Sequence, residues 1–404
     1  MTGPFLHPFA KPSRESFVRL VRGEGARVYT ADGAELIDGM ASLWYCAIGH
    51  GRREMAEAVA AQITTLEAYS AFDPFTTEPA EELSARIAAL SPVDGARVFL
   101  CGSGSEAVDS AMKLARVAHV QAGHPERTVI ISRTRGYHGT NYGGTSAQGI
   151  APNKVGYGTL LADVIQVDAD DIEAMSLAME QNEGRMAAVI AEPVQGAGGV
   201  FPATVEYLQS LRRLCDRHGA FLVFDEVITG FGRLGQWFGA VDYGVTPDMI
   251  TFAKAVTSGY QPLGGVVCAP SVTGPLESDP DFILRHGYTY SGHAAVCAAA
   301  LTNIRILESE GLLQRALHVG ARLGEGLAAL AADGTIAGVR GRGAVWAAAL
   351  RPDQDAVAIR DRMLSLGAIT RAINDCNTFC PPLVITDGET DRLLDIFATA
   401  ASGR

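Results

Sequence analysis

Between residues 97 and 253 the chain repeats one pattern, a short and nearly uninterrupted apolar run followed by an amphipathic stretch. The runs are "RVFLC" (97–101), "TVIIS" (128–132), "AAVIAE" (187–192), "AFLVF" (220–224) and "MITFA" (249–253). Runs this short, without polar alternation, read as strands buried on both faces. Between them, "AVDSAMKLARVAHV" (107–120) places Val108, Ala111, Met112, Ala115 and Ala118 at helical spacing. "YLQSLRRLCDRHGA" is a second amphipathic helix, ending at Gly219, a residue suited to a left-handed C-cap. Alternating strands and helices predict an α/β fold, a mainly parallel sheet covered by helices on both faces. Ligands of such sheets bind beyond the carboxyl ends of the strands. From residue 301, "LTNIRILESEGLLQRALHVGARLGEGLAALAA" reads as one long helical run, followed by shorter strand-like pieces. These predict a second, smaller α+β domain.

Composition narrows the partners. The 404 residues are 48% apolar, enough for a sizeable core, and the net charge of −12 disfavours nucleic acid and anionic membrane surfaces. No apolar stretch approaches the roughly 18 to 20 residues of a membrane span. The opening "MTGPFLHPFAKPSRE" lacks a charged segment followed by an apolar one, so it does not read as a secretory signal. The seven cysteines form no CxxC and several sit in apolar runs, as expected of reduced, buried thiols in a cytoplasmic protein.

The chemistry concentrates at two strand ends. "FLVFDEVITGFGRLG" (221–235) closes an apolar strand with two acids, Asp225 and Glu226. "DMITFAK" closes the next with Lys254. The chain holds only four lysines, and the others lie in a tail (Lys11), off the apolar face of a helix (Lys113) and in a polar loop (Lys154). Lys254 alone ends a strand, where desolvation lowers an amine's pKa and makes it a usable nucleophile. Asp225 and Lys254 are separated by about one strand–helix–strand unit, so both can point into one crevice. A carboxylate and an amine so placed are what pyridoxal phosphate requires, an acid for the pyridine nitrogen and a lysine for the aldehyde. If the strand continues past Asp225, Val227 shares its face and Glu226 points away. "CGSGSEAVD" (101–109), a strand, a Gly/Ser turn and a helix start, supplies an anion site. GSGSEA also fits a dinucleotide fingerprint, but that motif expects an acid ending the next strand, and "TVIIS" runs into Ser132 and Arg133.

Taken in order, "GSGSEAVDSAMKLAR", "GYHG", "AEPVQGAGG", "LVFDEVITGFGRLG", "TFAK" and "HGYTYSGHAAVCAAAL" resemble the class III pyridoxal-phosphate aminotransferases of fold type I, over roughly residues 7 to 400. "DGMASLWYCAIGHGR" and "HGYTYSGH" resemble most the ω-aminotransferases that use pyruvate. The resemblance implies an N-terminal segment (1–45) packing with the small domain, a large cofactor-binding domain (46–300) and a small C-terminal domain (301–404). It implies Lys254 and Asp225 as catalytic residues, Tyr137 and Val227 on the two ring faces, and Gly104 and Ser105 at the phosphate. Thr289 would reach the phosphate of a neighbouring subunit, which implies a homodimer with shared sites, or a tetramer built from it. Trp44, Phe72, Tyr137 and Ala197 would line the substrate pocket. Arg371 would be a mobile arginine for a substrate carboxylate, and Glu192 would lie near the cofactor and pair with Arg371. His138 reads as a structural neighbour of Tyr137.

The implied reaction moves an amino group from an amine or ω-amino acid to a keto acid such as pyruvate. The same family resemblance leaves open 7,8-diaminononanoate, 4-aminobutyrate and ornithine transaminases and aminomutases. No metal is implied.

Overall fold

The computed structural model describes residues 4–403. Its centre is a seven-stranded sheet in the order Arg97–Cys101, Gly264–Cys268, Met249–Phe252, Phe221–Asp225, Met186–Ala191, Val129–Arg133 and Val164–Val167. All neighbours pair in parallel except Gly264–Cys268, which runs antiparallel to both strands beside it. The uninterrupted apolar runs follow from burial on both faces. Every residue of Met186–Ala191 and Met249–Phe252 is buried, and each fully buried Val or Ile contributes about 1.5–3 kcal/mol over an exposed one.

Two of these strands lie outside the apolar runs read from the sequence. Gly264–Cys268 begins in a glycine pair that reads as a turn. The glycines are instead dictated by crowding: a Cβ at Gly264 would lie 2.4 Å from the Ser103 carbonyl oxygen, and one at Gly265 2.4 Å from the Phe252 ring. Val164–Val167 is the outer strand and is only partly buried, so its pattern is weak.

The helix Gly104–Gln121 buries Val108, Ala111, Met112, Ala115 and Ala118, the positions its spacing predicts. Its start is closed by two reciprocal bonds. The Ser103 hydroxyl accepts from the Glu106 N–H at 3.2 Å, and the Glu106 carboxylate accepts from the Gly102 N–H at 2.6 Å. Helix Val205–His218 ends at Gly219 in the left-handed conformation, φ 62°, as its sequence suggests.

The long helical run after residue 301 is two helices. Ala294–Ser309 starts earlier than the apolar run indicates, and Leu312–Ala332 follows a break at Gly311, where φ is +61°. A second sheet of Gly338–Arg342, Val345–Ala349, Cys376–Phe379 and Arg371–Ile373 follows it. The first strands of the chain, Leu20–Glu24, Arg27–Thr30 and Glu35–Asp38, form a third sheet, completed by Ala368–Ile369 parallel to Glu35–Asp38. All seven cysteines are free and buried. Among the described residues no helix is long and apolar enough to cross a membrane.

Candidate active site

Asp225 is the last residue of its strand, level with Thr251 on the neighbouring one. Lys254 follows that neighbour directly, after Ala253, with a positive φ of 51°. The two side chains therefore enter the same crevice from adjacent strands, at the carboxyl edge of the sheet. Burial pushes the Lys254 amine below its ordinary value, while the Asp225 and Glu192 carboxylates act in the opposite direction.

The two acids of the opening motif part company. Asp225 Oδ2 accepts from His138 Nδ1 at 2.8 Å, and Oδ1 accepts from the Thr251 hydroxyl at 3.1 Å and the Val227 N–H at 3.3 Å. A carboxylate offers about four acceptor positions, so three are used and one remains for a donor in the crevice. Glu226 faces away and caps a short helix, accepting from the Thr229 hydroxyl at 2.9 Å and from the N–H groups of Gly239 and Ala240. The strand stops at Asp225, so Val227 reaches the crevice through a turn rather than by continued alternation.

A cavity of about 130 Å³ gathers seven of the expected residues: Gly104, Ser105, Tyr137, Glu192, Asp225, Val227 and Lys254. His138, Gly139, Ile228, Ala253 and Val108 complete its walls. No other lysine reaches it: Lys113 is exposed, and Lys154 donates to the Ser146 carbonyl at 3.0 Å. Around the start of the 104–121 helix two wall positions are glycines where a side chain would be crowded. A Cβ at Gly104 would meet Val227 Cγ1 at 3.0 Å, and one at Gly139 would meet Ser105 Oγ at 2.6 Å. The Ser105 hydroxyl accepts from the Thr140 N–H at 3.0 Å, closing that side.

Glu192 does not pair with Arg371. Its Oε1 accepts from the Tyr137 N–H at 2.8 Å and its Oε2 from the Gly196 N–H at 3.3 Å. Those backbone donors satisfy the carboxylate locally and tie the Tyr137 loop to the "AEPVQG" loop. Burial pushes this carboxyl up to about 7, with His138 opposing and Asp225 adding to the rise. Arg371 opens its own short strand and does not line the cavity. Burial lowers its pKa, and the opposing influence is the Tyr137 phenol.

Besides Arg371, four expected residues lie outside the cavity. Trp44 is 3% exposed and packs in the same apolar cluster as Ile228, which lines the cavity. Ala197 is half-buried in the loop whose Gly196 leaves room for Ile228, since a Cβ there would meet Ile228 Cδ1 at 2.6 Å. Phe72 is 54% exposed, and Thr289 is exposed as well. They belong to one surface region, because a Cβ at Gly287 would lie 3.0 Å from the Phe72 ring.

The sequence reading passed over two groups that the fold brings to Asp225. His138 was legible only as a neighbour of Tyr137, and Thr251 only as a strand residue. Both hold the acid through space.

A doubly covered α/β sheet with an acid and an amine converging at its carboxyl edge, next to a glycine-walled helix start, defines a cofactor-dependent transferase site. The class-III aminotransferase family model matches residues 9–401. A β-alanine–pyruvate aminotransferase of Pseudomonas aeruginosa is 35% identical, the match covering 95% of this chain and 92% of that protein. Among solved structures, an (S)-enantioselective omega-transaminase from Thermomicrobium roseum is 35% identical with a TM-score of 0.94, covering 98% of this chain and 96% of that one. An amine transaminase from an uncultivated Pseudomonas species, solved in the PLP-bound form, is 34% identical with a TM-score of 0.94, covering 100% and 99%. The chain belongs to the class III aminotransferases and is a pyridoxal-phosphate-dependent enzyme of fold type I. Its residues fit that cofactor: a depressed amine, a carboxylate with one acceptor position free, and a wall that a single Cβ at Gly104 or Gly139 would fill.

Proposed function

We propose that this enzyme moves an amino group from an amine or ω-amino acid to pyruvate, acting as a homodimer, or a tetramer built from it, in the cytoplasm. The observation that carries the reading is the convergence of Lys254 and Asp225, with Asp225 anchored by His138 at 2.8 Å. The pyruvate-linked relative in Pseudomonas aeruginosa supports the acceptor.

Pyridoxal phosphate, when bound, supplies an aldehyde for the amino group and a ring that accepts the electrons released from the donor's α-carbon. Lys254 Nζ would hold that aldehyde and would serve as the base for the donor's α-proton. An amine held below its ordinary pKa by burial spends more time unprotonated, the form that acts as a base. Asp225 would keep a proton on the ring nitrogen, using the one acceptor position its neighbours leave. Tyr137 and Val227 would face the ring, and Gly104 and Ser105 would bind the phosphate at the start of the 104–121 helix, where N–H groups and the helix dipole favour an anion. Arg371 receives the acceptor's carboxylate. Its half-buried position, with no carboxylate partner among the described residues, suits an arginine that must be free to do so.

Trp44 and Ala197 form the donor side of the pocket. Phe72 and Thr289 act from a partner chain, Thr289 on the phosphate. In support, both are exposed in the single chain and neighbour an apolar surface that includes Tyr69, Phe75 and Tyr290.

Borohydride reduction of the holoenzyme followed by peptide mapping tests the central assignment. The expected label is on Lys254; a label on Lys113 or Lys154 overturns it. A donor screen with pyruvate and 2-oxoglutarate then tests the acceptor, and turnover with 2-oxoglutarate alone overturns that part.

A further inference from the structure

The chain has a backbone anomaly beside the site. After the strand Glu35–Asp38, three residues other than glycine lie at positive φ within one turn: Ala41 at 45°, Ser42 at 60° and Trp44 at 68°. Residues with a Cβ rarely adopt this region, and such strain persists only where surrounding structure enforces it. Here the enforcing group is one buried carboxylate. Asp38 Oδ1 accepts from the Met40 N–H at 3.0 Å, and Oδ2 accepts from the Ser42 N–H at 2.7 Å and from His50 Nε2 at 2.8 Å. His50 is itself fixed. Its backbone forms a two-bond bridge with Gly25, at 2.8 and 3.1 Å, and its ring packs against Gly23, where a Cβ would lie 2.7 Å from His50 Cβ. Beyond Trp44 the segment is fastened to the loop that follows Lys254. The Tyr45 ring covers Gly259, the Ile48 N–H donates to the Ser258 hydroxyl at 3.3 Å, and the Tyr260 hydroxyl donates to the Gly49 carbonyl at 2.8 Å.

We propose that Asp38 is a positioning residue that holds Trp44 in its strained conformation and thereby sets the size of amine donor the enzyme accepts. The proposal rests on the reading of Trp44 as a wall of the donor pocket. Asp38 and His50 do not line the cavity; they act through the backbone of residues 40–44. Cys46, His50 and Asp38 also line up in the order of a nucleophile, a base and an acid, with Cys46 Sγ 3.6 Å from His50 Nδ1. That arrangement is not a second catalytic site. The Cys46 thiol is 2% exposed, and burial and the Asp38 charge both keep it protonated. It serves as a further support for the His50 ring.

The test compares kcat/KM for a small aliphatic amine and a bulky aromatic amine in the half-reaction of the holoenzyme, alongside the cofactor's dissociation constant. Asp38→Asn keeps one oxygen but cannot accept from all three donors. Freed from its clamp, Trp44 should yield to large donors, raising the bulky-to-small ratio by about tenfold or more, since displacements near 1 Å alter rates on that scale. Cofactor affinity should stay within about threefold, which a general loss of structure would not allow. Trp44→Ala sets the scale. If it changes the ratio and Asp38→Asn does not, the positioning role is overturned while the pocket reading stands. If neither changes it, the pocket reading itself has failed and the proposal falls with it. Should Asp38→Asn not fold, His50→Asn carries the test, since it leaves both backbone bonds of Asp38 in place. A smaller shift of the same sign is expected, and an unchanged ratio overturns the proposal.

Discussion

The cavity around Lys254 and the surface around Phe72 are built on opposite principles. The first is enclosed by a single chain, with its acid held by three internal donors and its glycine walls filled by neighbouring side chains. The second leaves Phe72, Thr289 and Tyr290 exposed, Tyr290 at 72%. The difference separates two tasks. Gripping the cofactor's ring needs fixed electrostatics in a dry place, which one sheet edge can supply. On our reading, closing the phosphate and substrate sides falls to the exposed apolar surface around Phe72, so that catalysis depends on assembly.

The largest expected effect breaks the enclosed half. Lys254→Ala should lower turnover by roughly a thousandfold or more, because on our reading the residue is both the cofactor's attachment and the base. The chain should still fold, and the visible absorbance of the lysine-bound cofactor should vanish. A variant that keeps that absorbance would show that the enclosed site is not the one in use.

Next in size, Arg371→Ala should raise the KM for pyruvate about ten- to a hundredfold, the value of a charge-assisted carboxylate contact. The half-reaction with a carboxylate-free amine should stay within a few-fold. Equal losses in both half-reactions would mean that another group holds the acceptor.

The exposed half can be probed by Thr289→Ala. If a partner's Thr289 binds the phosphate, the cofactor's dissociation constant should rise by about tenfold. Sedimentation should show the variant assembled as before. Full activity in a monomeric species would erase the distinction between the two regions.

The smallest effect sharpens the electrostatics of the enclosed half. The Asp225 carboxylate favours the charged form of Lys254, against burial, which favours the neutral form. Replacing it by Asn removes the foremost of the influences that raise the pKa, so the Lys254 amine should titrate at lower pH. Measured as the pH dependence of amine acylation in the cofactor-free protein, the rising limb should move to lower pH in Asp225→Asn. A shift to higher pH would show that the pair does not interact in this way.

The sequence by itself determined a good deal. Uninterrupted apolar runs identified five sheet strands, because a strand buried on both faces cannot alternate. One lysine out of four ended such a strand, and the acid ended its neighbour, so the cofactor chemistry was legible from local pattern alone. Tertiary structure decided what depends on approach between distant parts of the chain. It made "GGVVC" an antiparallel strand because the Ser103 carbonyl and the Phe252 ring leave no room for a Cβ. It brought His138 and Thr251 to Asp225 and gave Glu192 to the amides of Tyr137 and Gly196 rather than to Arg371. It also bent residues 41–44 around the Asp38 carboxylate. No periodicity encodes these contacts. Each is a hydrogen bond or a steric limit between groups whose meeting is set by how the elements pack.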